Sequence, residues 1–251
     1  MGDRIKGVIF DNDNTLAKVY PGPKGYWLNV FSTTVKELGG SLPAGREEEY
    51  MLAYYSEKDF SARLKELGLS GGREAFQAAK MEVDARLRLA LIQEGKSHFF
   101  PDAVELIRYL DRKGIRFGVA TFTSRLVVMA AFDRVPGLPR PAGIFGWEDS
   151  REKKLEKPDP RIARIVLEQM GVKPENAMMV GDRLTDVELG NRSGMISCLL
   201  KREDEDGPLV KVMEREIDEI RGNLSRVEDF DKVPDFQVSG LAELIPIIEG
   251  F

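Results

Sequence analysis

The sequence is most informative near its first residue, in the stretch Lys6-Gly7-Val8-Ile9-Phe10-Asp11-Asn12-Asp13-Asn14-Thr15-Leu16. Its apolar residues Val8, Ile9 and Phe10 follow one another without polar residues between them, which is typical of a strand buried on both faces in a parallel sheet. Asp11 and Asp13 follow at once, and an extended backbone points both carboxylates to the same side. Like charges placed together are costly unless a cation lies between them or one of them holds a proton. The stretch therefore predicts a buried strand that ends at a catalytic or cation-binding site, with an acidic turn as the alternative.

Three later stretches add further polar groups. They are Phe117-Gly118-Val119-Ala120-Thr121, Glu156-Lys157-Pro158 and Met179-Val180-Gly181-Asp182-Arg183-Leu184-Thr185-Asp186. The whole set is an aspartate pair with a threonine, a second threonine, a lysine and then Gly-Asp-x-x-x-Asp. It resembles the motifs of the haloacid dehalogenase-like superfamily of phosphohydrolases. Each motif alone is weak, so the resemblance rests on the complete set in the family's order.

The composition predicts one large domain, or one domain with a smaller one. The chain has 251 residues, of which 42% are hydrophobic and 31% charged, and its net charge is −5, so a substantial core can form. A mildly acidic protein is poorly suited to sequence-independent nucleic-acid binding. No signal peptide precedes the first predicted strand, and no apolar run is long enough to cross a membrane. We therefore expect a cytoplasmic protein that binds neither nucleic acid nor membranes.

The single cysteine and the single histidine have no predicted chemical role. Cys198 lies in the apolar run Ile196-Ser197-Cys198-Leu199-Leu200, where we expect a buried and inert thiol that has no partner for an internal disulfide. His98 lacks the partners that a metal cluster or a catalytic triad requires, so we expect it to be structural.

The block from residue 17 to residue 98 predicts helices and no strand. It begins with Pro21, Gly22, Pro23 and Gly25, a composition typical of a loop or hinge. Helical spacing predicts helices on Leu28, Phe31, Val35 and Leu38, around Met51, Tyr54 and Tyr55, on Phe60, Leu64 and Leu67, and from Arg73 to Ile92. The resemblance implies that residues 17–98 form a helical cap domain that is inserted between the first two motifs and selects the substrate.

Outside this block strands alternate with helices, which predicts an α/β fold with a parallel sheet and helices on both faces. The predicted strands after the first are Ile115–Ala120, Ile144–Trp147, Ala177–Val180, Ile196–Leu200 and an edge strand Phe236–Val238. Residues 1–16 and 99–251 then form the core. The resemblance implies a Rossmann-like, three-layer α/β/α core with the first strand at its centre.

Two of the helices predicted in the core have recognisable start or stop signals. Asp159 is a suitable N-cap, with Pro160 at the first helical position and Gly171 at the stop. A second helix is predicted to begin at Pro208 and to carry one apolar face. That face packs on the core or forms a dimer contact, so the chain is expected to be a monomer or a homodimer.

The motif residues that follow strands are predicted to gather at the carboxyl edge of the sheet, where open α/β folds bind ligands. Hydrolysis of a phosphate monoester needs a nucleophile, an acid for the leaving oxygen and positive charge for the phosphoryl oxygens. By resemblance, Asp11 attacks phosphorus and becomes an aspartyl phosphate, while Asp13 protonates the leaving alcohol and later takes a proton from water. Thr121 offers its hydroxyl and main-chain N–H to the phosphoryl group, and Lys157 offers a fixed positive charge.

The same edge is predicted to bind Mg²⁺, which prefers hard oxygen ligands and retains several waters. Asp11 and Asp182 are the best direct carboxylate ligands. The resemblance adds the main-chain oxygen of Asp13 and implies that Asp186 supports the ion through water or from outside its direct ligands.

Two positions depart from the family's usual pattern. Asn12 stands between the aspartates, where an apolar residue is common, and Phe122 follows Thr121, where asparagine is frequent. Both changes leave the catalytic groups in place and bear on the contacts with the substrate. Thr15 is expected to hold the loop rather than to contact the substrate.

The sequence thus predicts a Mg²⁺-dependent phosphatase that acts on a small phosphorylated metabolite. A sugar phosphomutase of the same superfamily would carry the same four motifs and is the first alternative. A phosphoacceptor signalling module also uses an acidic cluster, a threonine or serine and a lysine on a parallel sheet, but such modules are much shorter and their acceptor follows a later strand. Carbon–halogen cleavage is disfavoured, because those relatives lack the second aspartate and Asp13 is present.

Overall fold

The computed structural model describes residues 5–19, 23–56, 59–202 and 231–251. The chain folds into two compact units, one formed by Met1–Lys18 with His98–Phe251 and the other by Val19–Ser97. The helix predicted to begin at Pro208 lies outside the described residues. In the described ranges no helix is both long and apolar enough to cross a membrane.

The first unit is built on a six-stranded parallel sheet with the strand order β3-β2-β1-β4-β5-β6. The strands are β1 Gly7–Phe10, β2 Arg116–Ala120, β3 Gly143–Phe145, β4 Ala177–Gly181, β5 Ile196–Leu200 and β6 Phe236–Val238. Every residue of β1 is buried, as its uninterrupted apolar sequence predicts for a central strand. The predicted parallel sheet, with the first strand between its neighbours, is confirmed.

The helices are divided between the two units. They are α1 Pro23–Glu37, α2 Glu47–Ser56, α3 Ser61–Glu66, α4 Arg73–Gln93, α5 Pro101–Arg112, α6 Arg125–Asp133, α7 Trp147–Lys153, α8 Pro160–Met170, α9 Leu184–Arg192 and α10 Leu244–Glu249. In the first unit, α8 contacts β1, β2 and β3, α9 contacts β4 and β5, and α5 contacts β2. Helices α1 to α4 form the second unit.

Helix α8 packs unusually close to the sheet because two strands carry glycine beneath it. A Cβ atom on Gly118 would lie 2.5 Å from Cγ1 of Val166, and one on Gly7 would lie 2.7 Å from Cε of Met170. The helix begins and ends as predicted, since the Asp159 carboxylate accepts a hydrogen bond from the N–H of Arg161 and Gly171 adopts a left-handed φ of 62°. Helix α8 begins at Pro160, three residues after Lys157.

Several boundaries differ from the predictions by one or two residues. The third strand ends at Phe145 rather than at Trp147, because the Asp149 carboxylate accepts a hydrogen bond from the N–H of Gly146 at 3.0 Å and starts α7 at Trp147. The spacing predicts that Leu38 belongs to the first helix of this block, but that helix ends at Glu37 and Leu38 is 46% exposed.

The second unit has its own aromatic core, in which Phe31, Tyr54, Phe60 and Phe76 are buried together. Beside it, α4 carries a buried ion pair in which Nε of Arg88 lies 2.9 Å from a carboxylate oxygen of Asp84. The four predicted helices of this block are confirmed. Its role as a substrate-selecting cap stays a prediction.

Cys198 lies in β5 with 1% of its surface exposed, which confirms the predicted burial. Burial raises the pKa of its thiol to about 12, so the side chain is a thiol rather than a nucleophilic thiolate near neutral pH.

Candidate active site

The loop after β1 holds Asp11 and Asp13 in different ways. Asp11 still belongs to the sheet, because its N–H donates to the carbonyl of Val180 on β4 at 2.9 Å. The chain then turns sharply: the carbonyl of Asn12 accepts hydrogen bonds from Leu16 and Ala17 at 3.0 and 2.8 Å, and Asn14 adopts a left-handed φ of 57°. Asparagine tolerates this conformation better than most residues. Asp13 therefore lies in a tightly closed turn directly after the nucleophile candidate.

Lys157 joins two of the predicted acidic residues. Its Nζ lies 2.6 Å from Oδ1 of Asp11 and 2.7 Å from Oδ1 of Asp186, and only 4% of its side chain is exposed. Burial alone would lower the pKa of Lys157, but the two carboxylates outweigh it and hold that pKa above its usual range. A fixed positive charge therefore lies against Asp11.

Asp11 is less strongly stabilised as an anion than this contact suggests. Burial raises the pKa of Asp11 to about 6, Lys157 opposes that shift, and the neighbouring carboxylates of Asp186 and Asp13 add to it. One ammonium shared between two carboxylates does not fully offset the loss of hydration. A further cation beside Asp11 would lower this pKa.

A group of carboxylates here fits a divalent cation. Asp11, Asp182 and Asp186 each offer an oxygen, and these three oxygens lie within 4.8 Å of one another. Carboxylate oxygens are the hard ligands that Mg²⁺ prefers, and among the described residues these three carboxylates outnumber the two cationic side chains that interact with them, Lys157 and Arg183. The predicted contribution of Asp13 is its main-chain oxygen, which stays a prediction.

Asp186 is placed by the first turn of α9. Its Oδ2 accepts a hydrogen bond from the N–H of Arg183 at 3.2 Å, which caps the helix, while Oδ1 accepts from Lys157. This arrangement brings the carboxylate so close to β4 that a Cβ on Gly181 would lie 2.2 Å from Oδ2 of Asp186. The glycine before Asp182 is therefore needed for space, independently of any backbone flexibility.

Thr121 lies in the predicted place but differs in one contact. Its N–H donates to the carbonyl of Phe145 at 2.9 Å as part of the pairing with β3, so the predicted donation of this N–H to a phosphoryl group is wrong. Its hydroxyl oxygen accepts a hydrogen bond from the N–H of Thr123 at 3.1 Å. The hydroxyl of Thr121 stays a candidate contact for the phosphoryl group.

Two residues that the sequence analysis did not assign contact Asp13. The hydroxyl of Thr123 donates to Oδ1 of Asp13 at 3.0 Å, and the side-chain amide of Asn12 donates to the same oxygen at 2.8 Å. Asn12, which departs from the family's pattern, thus binds the carboxylate of Asp13 through its side-chain amide. For Thr123 the only signal in the sequence is its position two residues after Thr121.

The second departure lies beside Lys157. The ring of Phe122 has its centroid 5.9 Å from Nζ of Lys157, within the range of a cation–π contact. An aromatic ring at this position lowers the local hydration of the lysine, and so strengthens the lysine's electrostatic contacts.

Comparisons with known proteins agree with this architecture. A sequence model described as haloacid dehalogenase-like hydrolase matches residues 5–194. Glyceraldehyde 3-phosphate phosphatase of Methanopyrus kandleri is 29% identical over 97% of this chain and 97% of that protein. Phosphoglycolate phosphatase of Rhodospirillum rubrum is 28% identical over 76% of this chain and 77% of that protein. The crystal structure of CbbY from Rhodobacter sphaeroides in complex with phosphate has a TM-score of 0.62 and 23% identity, covers 96% of both chains, and shows the shared fold.

A parallel Rossmann-like sheet with carboxylates after β1 and β4 and a buried lysine beside them makes this chain an α/β protein with an acidic site at the carboxyl ends of its strands. The chain belongs to the haloacid dehalogenase-like hydrolase family, and within that family it is a phosphoric monoester hydrolase.

Proposed function

We propose that this enzyme is a Mg²⁺-dependent phosphatase that hydrolyses a small phosphorylated metabolite through an aspartyl phosphate on Asp11. The observation that carries the proposal is the placement of Asp11 at the end of the central strand. There its carboxylate contacts Lys157 at 2.6 Å and lies within reach of the carboxylates of Asp182 and Asp186. A nucleophile, a fixed cation and a ligand set for a metal thus meet at one strand end.

In the proposed first step, an oxygen of Asp11 forms a bond to phosphorus while the bond from phosphorus to the ester oxygen breaks. The attacking carboxylate must be ionised, and Lys157 opposes the effect of burial on its pKa. The Lys157 ammonium and the Thr121 hydroxyl are suited to orient the phosphoryl oxygens, which carry the charge of the transition state.

Asp13 supplies the proton transfers of both steps. It gives its proton to the departing ester oxygen, and it then takes a proton from the water that attacks the aspartyl phosphate, which releases inorganic phosphate and restores Asp11. Asn12 and Thr123 both donate to Oδ1 of Asp13, and two donors on one oxygen fix the plane of the carboxyl group. The carboxyl group is thereby held in a constant orientation for both transfers.

The ligands proposed for Mg²⁺ are the carboxylates of Asp11 and Asp182 and the main-chain oxygen of Asp13, with Asp186 acting through water. When bound, the ion supplies positive charge that reduces repulsion between the nucleophile and the phosphoryl oxygens. Lys157 binds both Asp11 and Asp186, so the protein holds these two carboxylates in place for the ion.

The proposed substrate is a small phosphate ester, and the residues that select it are proposed to lie in the unit Val19–Ser97. Two of the relatives are named for phosphatase activity on glyceraldehyde 3-phosphate and on phosphoglycolate. Both names denote phosphorylated compounds of two or three carbons, which supports a small metabolite as the substrate class here.

A screen of phosphorylated metabolites with Mg²⁺, with release of inorganic phosphate as the readout, tests the proposal. We expect release from at least one small ester, and none from protein that carries Asp11→Asn. Analysis of the organic product separates hydrolysis from the mutase alternative, because a mutase returns an isomerised sugar phosphate. An isomer without net phosphate release, or no turnover of any ester, would contradict the proposal.

A further inference from the structure

Arg202 links the turn that carries Asp13 to the segment after β5 and to the start of α5. It lies just after β5, at a position that no sequence motif marks as functional. Its Nε donates to the carbonyl of Asn14 at 3.1 Å, and its Nη2 donates to the carbonyl of Thr15 at 3.0 Å. These are the two residues that follow Asp13 in the turn.

The same guanidinium is itself held from two further sides. Nη1 and Nη2 each lie 3.0 Å from a different oxygen of Asp102, which forms a bidentate pair at the start of α5. Cζ of Arg202 lies 3.7 Å from the centroid of the Phe100 ring, as in stacked guanidinium groups. Asp102 also accepts a hydrogen bond from the N–H of Leu241 at 2.8 Å. These contacts hold the guanidinium in place independently of its contacts with the turn.

The contact supports the turn, because one residue of the turn adopts a backbone conformation that costs free energy even for asparagine, which tolerates it better than most residues. Asn14 has a left-handed φ of 57°, which costs free energy unless surrounding contacts hold it. Within the turn, the N–H of Asn14 donates to the carbonyl of Ala17 at 2.8 Å, while the carbonyl of Asn14 points outward and accepts from Arg202. Release of that contact lets Asn14 relax, and Asp13 is its direct neighbour.

We infer that Arg202 is a positioning residue that holds the Asp13 turn in the geometry needed for proton transfer. Its role in catalysis rests on the proposed phosphatase function, whereas its anchoring of the turn does not. A lysine at this position keeps the charge but lacks the planar fork that reaches two carbonyls and a bidentate carboxylate together.

The anchoring is tested by hydrogen exchange of the backbone amides, measured by mass spectrometry on the peptide that contains residues 11–19. In Arg202→Lys we expect faster exchange at Leu16 and Ala17, whose amides close the turn, with the sheet strands unchanged. Arg192→Lys is the matched control, because Arg192 pairs with Asp231 at the surface and does not contact the turn. Unchanged exchange of the turn in Arg202→Lys would overturn the inference even if the protein proved to have no phosphatase activity.

The catalytic part is tested by kcat/KM for a series of aryl and alkyl phosphates whose leaving groups differ in basicity. A misplaced Asp13 harms esters that need protonation of the leaving oxygen, so Arg202→Lys should lose about 10- to 100-fold on alkyl esters and much less on p-nitrophenyl phosphate. An equal loss across the series would show a merely structural role and would overturn the assignment.

Asp102→Asn provides a second variant if Arg202→Lys fails to fold. It keeps the size of the side chain and removes the charge that fixes the guanidinium. Like Arg202→Lys, it should therefore speed amide exchange in the turn and lower kcat/KM more for alkyl esters than for p-nitrophenyl phosphate. Combined with Arg202→Lys, it should add little, because both changes release one contact network. Full additivity of the two effects on kcat/KM would contradict the shared role.

Discussion

At the scale of single residues, Asp11 is subject to two opposing requirements. In the proposed mechanism it must be ionised to attack phosphorus, yet burial raises its pKa to about 6 despite the contact with Lys157. A proton and a cation therefore compete for the same carboxylate. The ionised, reactive form is favoured when the pH exceeds about 6, and a bound cation would lower the pKa and extend that form to lower pH.

We predict that the affinity for Mg²⁺ weakens as the pH falls through about 6, because protonated Asp11 cannot act as a ligand. The affinity should be fully developed above this pH and largely lost well below it. Titration calorimetry, or the rise in melting temperature on addition of Mg²⁺, measures this directly. Asp11→Asn should bind weakly with little dependence on pH in this range. A constant affinity of the wild-type protein across this range would contradict the assignment of Asp11 as a ligand.

We predict that Asp11→Asn abolishes turnover, because an amide cannot form the aspartyl phosphate. Asp13→Asn should lose about 10²- to 10⁴-fold in turnover and should accumulate phosphoenzyme, since it can no longer take a proton from the attacking water. Intact-mass measurement after addition of substrate detects the added phosphoryl group. Asp231→Asn, at a surface aspartate paired with Arg192, is the matched control. Near wild-type turnover by Asp11→Asn would refute the mechanism.

The sequence could predict the site residues that follow strands, but not the contacts between loops. Asp11 and Asp182 are placed by β1 and β4, whose parallel pairing follows from their apolar runs. Thr123 and Arg202 reach the Asp13 turn from loops after β2 and β5, which are distant in sequence. Such contacts depend on the conformation of each loop, and this is not encoded in a local hydrophobic pattern.

At the scale of the elements, the junction of β4 and α9 has no room for a side chain on Gly181. We predict that Gly181→Ala forces the Asp186 carboxylate to move, because the added Cβ would lie 2.2 Å from Oδ2 of Asp186. This should weaken the contact with Lys157 and lower kcat by about tenfold or more, since small misplacements of catalytic groups have large effects on rate. Mg²⁺ affinity should fall as well.

Gly72→Ala is the control for this change, because Gly72 also has ordinary backbone angles and no atom lies within 4 Å of its added Cβ. Kinetics and a thermal melt of both variants distinguish a displacement of Asp186 from a general effect of replacing glycine with alanine. If Gly181→Ala retained wild-type kcat and Mg²⁺ affinity, the close approach of Asp186 would have no functional importance.

The elements also show where sequence signals were sufficient. Helix α8 begins and ends at its predicted residues, because Asp159, Pro160 and Gly171 are explicit start and stop signals. Helix α7 was not predicted, because Trp147 continues an apolar, strand-prone run. The cap formed by Asp149, three residues from Gly146, decides the local structure there, and a single acidic residue is too common to identify it from sequence.

At the scale of the whole molecule, the chain leaves the first unit after Lys18 and returns to it at His98, and these two points are adjacent. The N–H of Lys18 donates to the carbonyl of His98 at 3.0 Å, and Ala17 pairs with Phe99 in an antiparallel bridge. The insertion therefore leaves the six-stranded sheet uninterrupted, and a short linker can join the two points.

We predict that replacement of residues 19–97 by a short Gly-Ser linker reduces discrimination among substrates more than it reduces turnover of p-nitrophenyl phosphate. The proposed catalytic groups all lie in the first unit, whereas the proposed selecting residues lie in the second. Circular dichroism and a thermal melt establish that the shortened protein folds. The ratio of kcat/KM for the best metabolite to that for p-nitrophenyl phosphate should fall by about tenfold or more, the loss of roughly one good contact. A folded, active protein that kept the full ranking of substrates would show that selection lies in the core.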